Sequence, residues 1–207
     1  MLAWNEYVQS IIALIVIIDP LGAIPIFIGL TAQQTDEQRR RTAYVASFSV
    51  AVILVVSCFI GEWILKIFGI SIASFRVGGG ILLMLMAIAM MGAKISPARR
   101  TEEEEEEAHG KENVAVVPLA IPLLAGPGAI SLVIIYAEKI TGVVNTSFLV
   151  LSCVVVAALM WGALHLSTRI SKVLGHTGIN IATRIMGLIL AAISIEFIAS
   201  GYKVLFR

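Results

Sequence analysis

The sequence predicts an all-α integral membrane protein: six transmembrane helices arranged as two inverted three-helix repeats, with helices one and four interrupted. Three observations lead there. The residues are 58% hydrophobic and only 14% charged, against about 45–50% and about 25% in soluble domains. Mean hydropathy is accordingly +0.95. Six windows reach the roughly 20 apolar residues that a helix needs to cross a bilayer. Short motifs of the first half also recur in the second.

The windows are 8–32, 43–66, 70–93, 114–137, 146–168 and 179–202. Apolar residues run continuously through each, without the alternation of a membrane β-strand. Ahead of the first window, MLAWNE carries Glu6 and no basic residue. That is not the basic n-region of a cleaved signal peptide, so the first window is expected to be a retained span.

Span one is interrupted by IDPLGAIPIF, residues 18–27. Proline removes a backbone donor and crowds the preceding turn. Glycine lets the chain leave helical geometry. Pro20, Gly22 and Pro25 therefore predict a broken helix, and Asp19 adds a carboxylate at mid-span. Such a charge is costly and points to function. It can take the proton or Na⁺ that drives transport, or face a substrate ammonium. The structural alternative is an N-cap on a half-helix starting near Leu21.

Spans two and three are continuous. Arg76 lies about six residues into span three, beside Gly78, Gly79 and Gly80, which read as close-contact glycines. Then comes KISPARRTEEEEEEAHGKEN, whose glutamates 102–107 repel one another and cannot bury a core. It reads as a solvated linker. Span four is interrupted by AGPGAIS, placing Gly126, Pro127, Gly128 and Ser131 where span one has its break. Span six carries Arg184, Gly187 and Glu196. Cys58 and Cys153 fall inside apolar runs and read as small hydrophobes. The three histidines, His109, His165 and His176, lack ligand spacing, so no metal or other cofactor is expected beyond a coupling H⁺ or Na⁺.

The repeat is explicit. Gly22-Ala23-Ile24 matches Gly128-Ala129-Ile130, and LKIFGIS (65–71) matches SKVLGHT (171–177), both at an offset of 106. FRVGGGILL (75–83) matches TRIMGLILA (183–191) at 108, pairing Arg76 with Arg184 and Gly79 with Gly187. The chain divides into one membrane domain, 1–207: repeat one at 1–94, an acidic linker at 95–113 and repeat two at 114–207. Three spans are an odd number of crossings, so the second copy must enter the membrane inverted. Paired Gly/Pro interruptions in the two halves are a pointer to a transporter's binding site. The candidate site is thus Asp19, Pro20, Gly22, Pro25, Gly126, Pro127, Gly128 and Ser131, with Arg76 and Arg184 expected near the breaks.

Loop charges set the expected orientation. With the N-terminus outside, the inner loops hold Arg39, Arg40, Arg41, Lys94, Arg99, Arg100, Lys111, Arg169 and Lys172. The outer side holds Lys66, Lys139, Lys203 and Arg207. The excess places both termini outside the cytoplasm and the linker inside it.

DPLGAIPIF, VVPLAIPLLAGPGAIS, GISIASFRVGGGILL and TGINIATRIMGLIL resemble the MarC family of bacterial inner-membrane proteins over essentially the whole chain. The resemblance implies a six-span plasma-membrane protein. It suggests a cargo as well, because related members are classed as transporters of small neutral amino acids such as glycine and alanine. The leading expectation is an ion-gradient-driven secondary transporter of a small neutral solute. The chain has no P-loop to supply energy from a nucleotide. A net charge of +1 argues against nucleic acid as a partner. A homo-oligomer is compatible with the sequence. The alternatives are a non-transporting inner-membrane scaffold, which gives no reason for matched breaks, and an intramembrane enzyme. An aspartyl protease would need two membrane aspartates where there is one, and no serine-hydrolase elbow or zinc motif is present.

Overall fold

The computed structural model describes residues 4–92, 125–140 and 142–206. Among these residues the chain is entirely helical. Seven helices follow in order: α1 (Trp4–Ile18), α2 (Ala23–Leu30), α3 (Asp36–Ile67), α4 (Ile72–Met91), α5 (Pro127–Lys139), α6 (Val143–His165) and α7 (Ser167–Leu205). The linker at 95–113 and the first part of the fourth window lie outside the described residues.

Four helices, α3, α4, α6 and α7, are each long and apolar enough to cross a membrane. The pair α1 and α2 forms a further apolar path, bent by 44° at the predicted break. This is an all-α, multi-pass membrane protein. The four long helices bury only 22–39% of their most apolar windows within the protein. Side chains such as Phe48, Phe59, Leu85, Leu151 and Leu188 instead face outward, where acyl chains replace water as solvent.

The core sits on the short elements. Leu14, Ile17 and Ile18 of α1, Ile24 and Phe27 of α2, and Leu132 and Ile135 of α5 are fully buried. They meet Leu54 of α3 and Leu83 and Met86 of α4. The short helices α1, α2 and α5 are therefore innermost, and the four long ones face lipid.

Helix ends follow the local chemistry. Thr35 and Gln38 form a capping box at the start of α3, with Thr35 N–H donating to Gln38 Oε1 at 2.9 Å. Ser71 caps α4 by accepting from Ser74 N–H at 3.1 Å. Gly69, at φ +65°, lets the chain turn between α3 and α4. Its repeat counterpart, Gly175, takes φ +61° inside α7. The left-handed region is open to glycine at no Cβ cost. The sequence placed span six at 179–202. α7 starts earlier, at Ser167, because the segment before Gly175 is itself helical and abuts the next across that one non-helical residue.

Contacts between elements mirror one another. α3 packs on α5 as α6 packs on α2, and α4 packs on α5 as α7 packs on α2. The largest seam joins α4 to α7. Small residues make it close. A Cβ on Gly80 would lie 3.0 Å from the Ser194 carbonyl, one on Gly187 3.0 Å from the Ala87 carbonyl, and one on Gly201 2.8 Å from the Ala73 carbonyl. Along this seam residue numbers rise on α4 as they fall on α7, so the two helices run antiparallel. Gly78, read from sequence as a contact glycine, has open space around it, because the seam uses the neighbouring face of α4.

Candidate functional site: a carboxylate in a broken helix

Asp19 is where α1 stops. Its N–H still donates to the Ile15 carbonyl at 3.0 Å, completing the last turn of α1. Its own φ is +47°, and it is the one non-glycine residue with positive φ among those described. Aspartate tolerates this region better than most residues, yet left-handed geometry costs an L-residue about 1–2 kcal/mol. The surroundings hold it there. Asp19 is 2% exposed.

Both halves of Asp19 face the start of α2. The carboxylate Oδ1 accepts from Gly22 N–H at 3.1 Å, and the backbone carbonyl accepts from Ala23 N–H at 3.1 Å. A carboxyl group thus occupies the positive end of a helix. The sequence offered Asp19 as the N-cap of a helix from Leu21. The helix begins instead at Ala23 with Gly22 at the cap position, and Asp19 reaches it from three residues back. Pro20 lies in the break. Pro25 does not break anything: it is third in α2, within the first turn, where no intrahelical donor is required.

Gly22 is obligatory in this arrangement. A Cβ there would collide with the Asp19 carboxylate and lie 3.0 Å from Thr183 Oγ1 of α7. That hydroxyl is buried and has no hydrogen-bond partner among the described residues. An unpaired buried hydroxyl is costly and calls for an explanation. It lies beside the break, against Gly22. Sequence reasoning passed over Thr183 because its repeat counterpart is Phe75. The signal that could have found it is its place next to Arg184 in a motif already flagged.

The start of α5, where the sequence places its second interruption, is built differently. α5 starts at Pro127, with buried Gly126 as an extended N-cap and no side chain capping it. Proline suits this position, since its missing N–H is not needed. The Gly126 carbonyl accepts from Ala129 N–H at 3.0 Å and Ile130 N–H at 3.2 Å. Where the first half has Asp19, the second has buried Ala125. Gly128 and Ser131 face α4: a Cβ on Gly128 would lie 2.6 Å from Met86 Sδ, and Ser131 lies against Gly79.

Arg76 lies away from the start of α5. Arg76 pairs with Glu138 at 3.0 Å, at the far end of α5, about 18 Å along that helix from Gly126 at 1.5 Å per residue. Its guanidinium therefore ties the start of α4 to the end of α5. Arg184 is exposed on α7, although its neighbour Thr183 faces the first break.

A family model described as MarC family integral membrane protein matches residues 4–206. The chain belongs to the MarC family. MarC relatives extend well beyond one lineage. The chain is 41% identical over 200 residues to UPF0056 membrane protein YhcE of Escherichia coli, covering 97% of this chain and 93% of that one. A UPF0056 membrane protein of Buchnera aphidicola subsp. Schizaphis graminum is 39% identical over 206 residues, covering 100% and 96%. One from Pyrococcus horikoshii, PH0760, is 36% identical over 187 residues, covering 90% and 89%. These names state a membrane location and no activity. No solved structure matches the chain.

Proposed function

We propose that this MarC protein is an ion-gradient-driven secondary transporter of a small neutral solute, a small amino acid such as glycine or alanine, and not an enzyme. The observation that carries the proposal is Asp19, a buried carboxylate held in a strained conformation at a helix break. Such outliers cluster at switch and ligand sites, where the strain is part of the mechanism.

The break supplies a way to couple ion to movement. With Asp19 ionised, its carboxylate holds the α2 N-terminus by a charge-assisted hydrogen bond. Taking up H⁺, or sharing the carboxylate with Na⁺, weakens that hold. The angle between α1 and α2 can then change, and Thr183 Oγ1 beside it offers an oxygen to ion or solute. The solute's position follows from the same break, since α2 and α5 both start in the interior of the fold.

The architecture proposed is six spans in two inverted repeats. It is supported by the mirrored helix contacts, the matched Gly69 and Gly175, and the antiparallel α4–α7 seam. The protein would lie in the bacterial inner membrane with both termini periplasmic and the acidic linker cytoplasmic. Reporter fusions check this: a C-terminal fusion active only in the cytoplasm would overturn the orientation and the inversion together.

The function is tested in proteoliposomes. Labelled glycine or alanine should accumulate under an imposed proton or Na⁺ gradient and not without one. Absence of uptake across a panel of small neutral solutes, with correctly folded protein, would contradict the proposal.

A further inference from the structure

A second polar feature lies well away from the Asp19 break. A cleft of about 280 Å³ opens between α1, α5 and α7. It lies just below the range of about 300–1,000 Å³ typical of small-molecule pockets. Ala13, on its wall, is about 9 Å along α1 from Asp19 at 1.5 Å per residue. The cleft holds one cation, Lys139, and one anion, Glu196, with Gln9, Tyr136, Phe197 and Ser200 between them.

The two charges are kept apart. No ion pair joins Lys139 to Glu196. The carboxylate next to Lys139 in sequence, Glu138, is already committed to Arg76 at 3.0 Å. Lys139 Nζ instead lies over the rings of Tyr136 and Phe197, at 5.6 and 6.0 Å from their centres. Aromatic faces attract a cation without neutralising it. Tyr136 and Phe197 are themselves packed edge to face at 6.2 Å, which fixes the platform. A small cleft with an ammonium, a carboxylate and an aromatic floor is complementary to a molecule carrying both opposite charges close together.

We propose that this cleft captures a small zwitterion, an α-amino acid, with its carboxylate toward Lys139 and its ammonium toward Glu196. It is a loading station at the end of the bundle where α5 finishes, separate from the break at Asp19. Arg76 serves it indirectly, by holding Glu138 away from Lys139. The cargo class rests on the transport reading, but capture at the cleft is measured without transport.

The test uses the full chain with Ser200→Cys, a cleft position, and a water-soluble maleimide. Cys58 and Cys153 are buried and do not compete. Alanine at saturation should slow labelling by about tenfold, because it fills the cleft in front of the thiol, and two charge-assisted contacts set the concentration needed. Ethylamine and propionate, each carrying one of the two charges, should protect far less. Protection should vanish in Lys139→Met and in Glu196→Gln, and persist in Asp19→Asn. Gln9→Cys supplies an independent labelling position should Ser200→Cys disturb α7. Equal protection by propionate, or protection that survives both cleft substitutions, overturns the zwitterion site. Intact alanine uptake with no protection at either cysteine overturns the cleft and leaves the transport reading standing. Protection without uptake supports the cleft and counts against transport.

Discussion

The break at Asp19 and the start of α5 hold matched places in the sequence, yet they are built on different principles. At the first, a carboxylate sits inside the protein and holds the start of α2 through Gly22 N–H. At the second, α5 starts on Gly126 and Pro127 with no side chain at its N-terminus, and the position matching Asp19 is Ala125. The sequence motif thus occurs twice and its carboxylate once. On the proposed reading, that single carboxylate serves one coupling ion. Among the described residues no side chain caps α5, whereas Gly22 and Ala23 N–H at the start of α2 both donate to Asp19.

The largest expected effect comes from moving one methyl group into each break. Gly22→Ala drives a Cβ into the Asp19 carboxylate and against Thr183 Oγ1, so the cap must open. Gradient-driven uptake should fall by about tenfold or more, with a loss of about 1–3 kcal/mol in unfolding stability from overpacking. Gly128→Ala meets chiefly the tip of Met86, a flexible side chain that can swing aside. Its cost should stay below about 1.5 kcal/mol, with uptake largely kept. Equal loss of uptake in both variants would erase the distinction between the breaks.

Next in size is the seam that joins the halves. Gly187→Ala meets backbone atoms, Ala87 O and Met91 N at 3.0 Å. Neither can give without shifting α4, and the cost should be about 1–3 kcal/mol. Gly78→Ala, in open space, should stay within about 0.5 kcal/mol of wild type. Thermal unfolding in one detergent compares the two directly.

The smallest effect separates the paired arginines. Arg76→Ala removes a partly buried ion pair with Glu138, whose side chains are 12% and 33% exposed. Discounted for solvent, the loss should be about 0.5–1 kcal/mol. Arg184→Ala, on the exposed face of α7, should change stability by less than about 0.5 kcal/mol. A larger loss at Arg184 would mean that the repeated arginines share a role which the structure gives to Arg76 alone.

These contrasts mark what the sequence carries and what it does not. Long apolar runs, Gly/Pro punctuation and the offset motifs are local or periodic, so the described helices and the break at Asp19 were legible. So was the suspicion that Asp19 caps a helix, although the helix starts two residues later than expected, because the carboxylate reaches it across the turn. Three things were not legible. The Arg76–Glu138 pair joins residues 62 positions apart, and nothing periodic links them. Thr183 faces the break only because of how α7 packs on α2. Lys139 counted only as an outer-side charge, and Glu196 only as a residue of span six, until α1, α5 and α7 brought them to one cleft. Each depends on tertiary packing, which residue spacing does not encode.

The central claim is that the carboxylate in the first break couples an ion gradient to movement. Asp19→Asn tests it most directly, since asparagine keeps the shape, accepts from Gly22 N–H and tolerates the left-handed conformation. The protein should insert and fold as wild type. In proteoliposomes, concentrative uptake of alanine or glycine under a proton or Na⁺ gradient should be lost, while exchange of internal for external solute continues. Gradient-driven uptake at the wild-type rate would contradict the account and leave Asp19 as a helix cap.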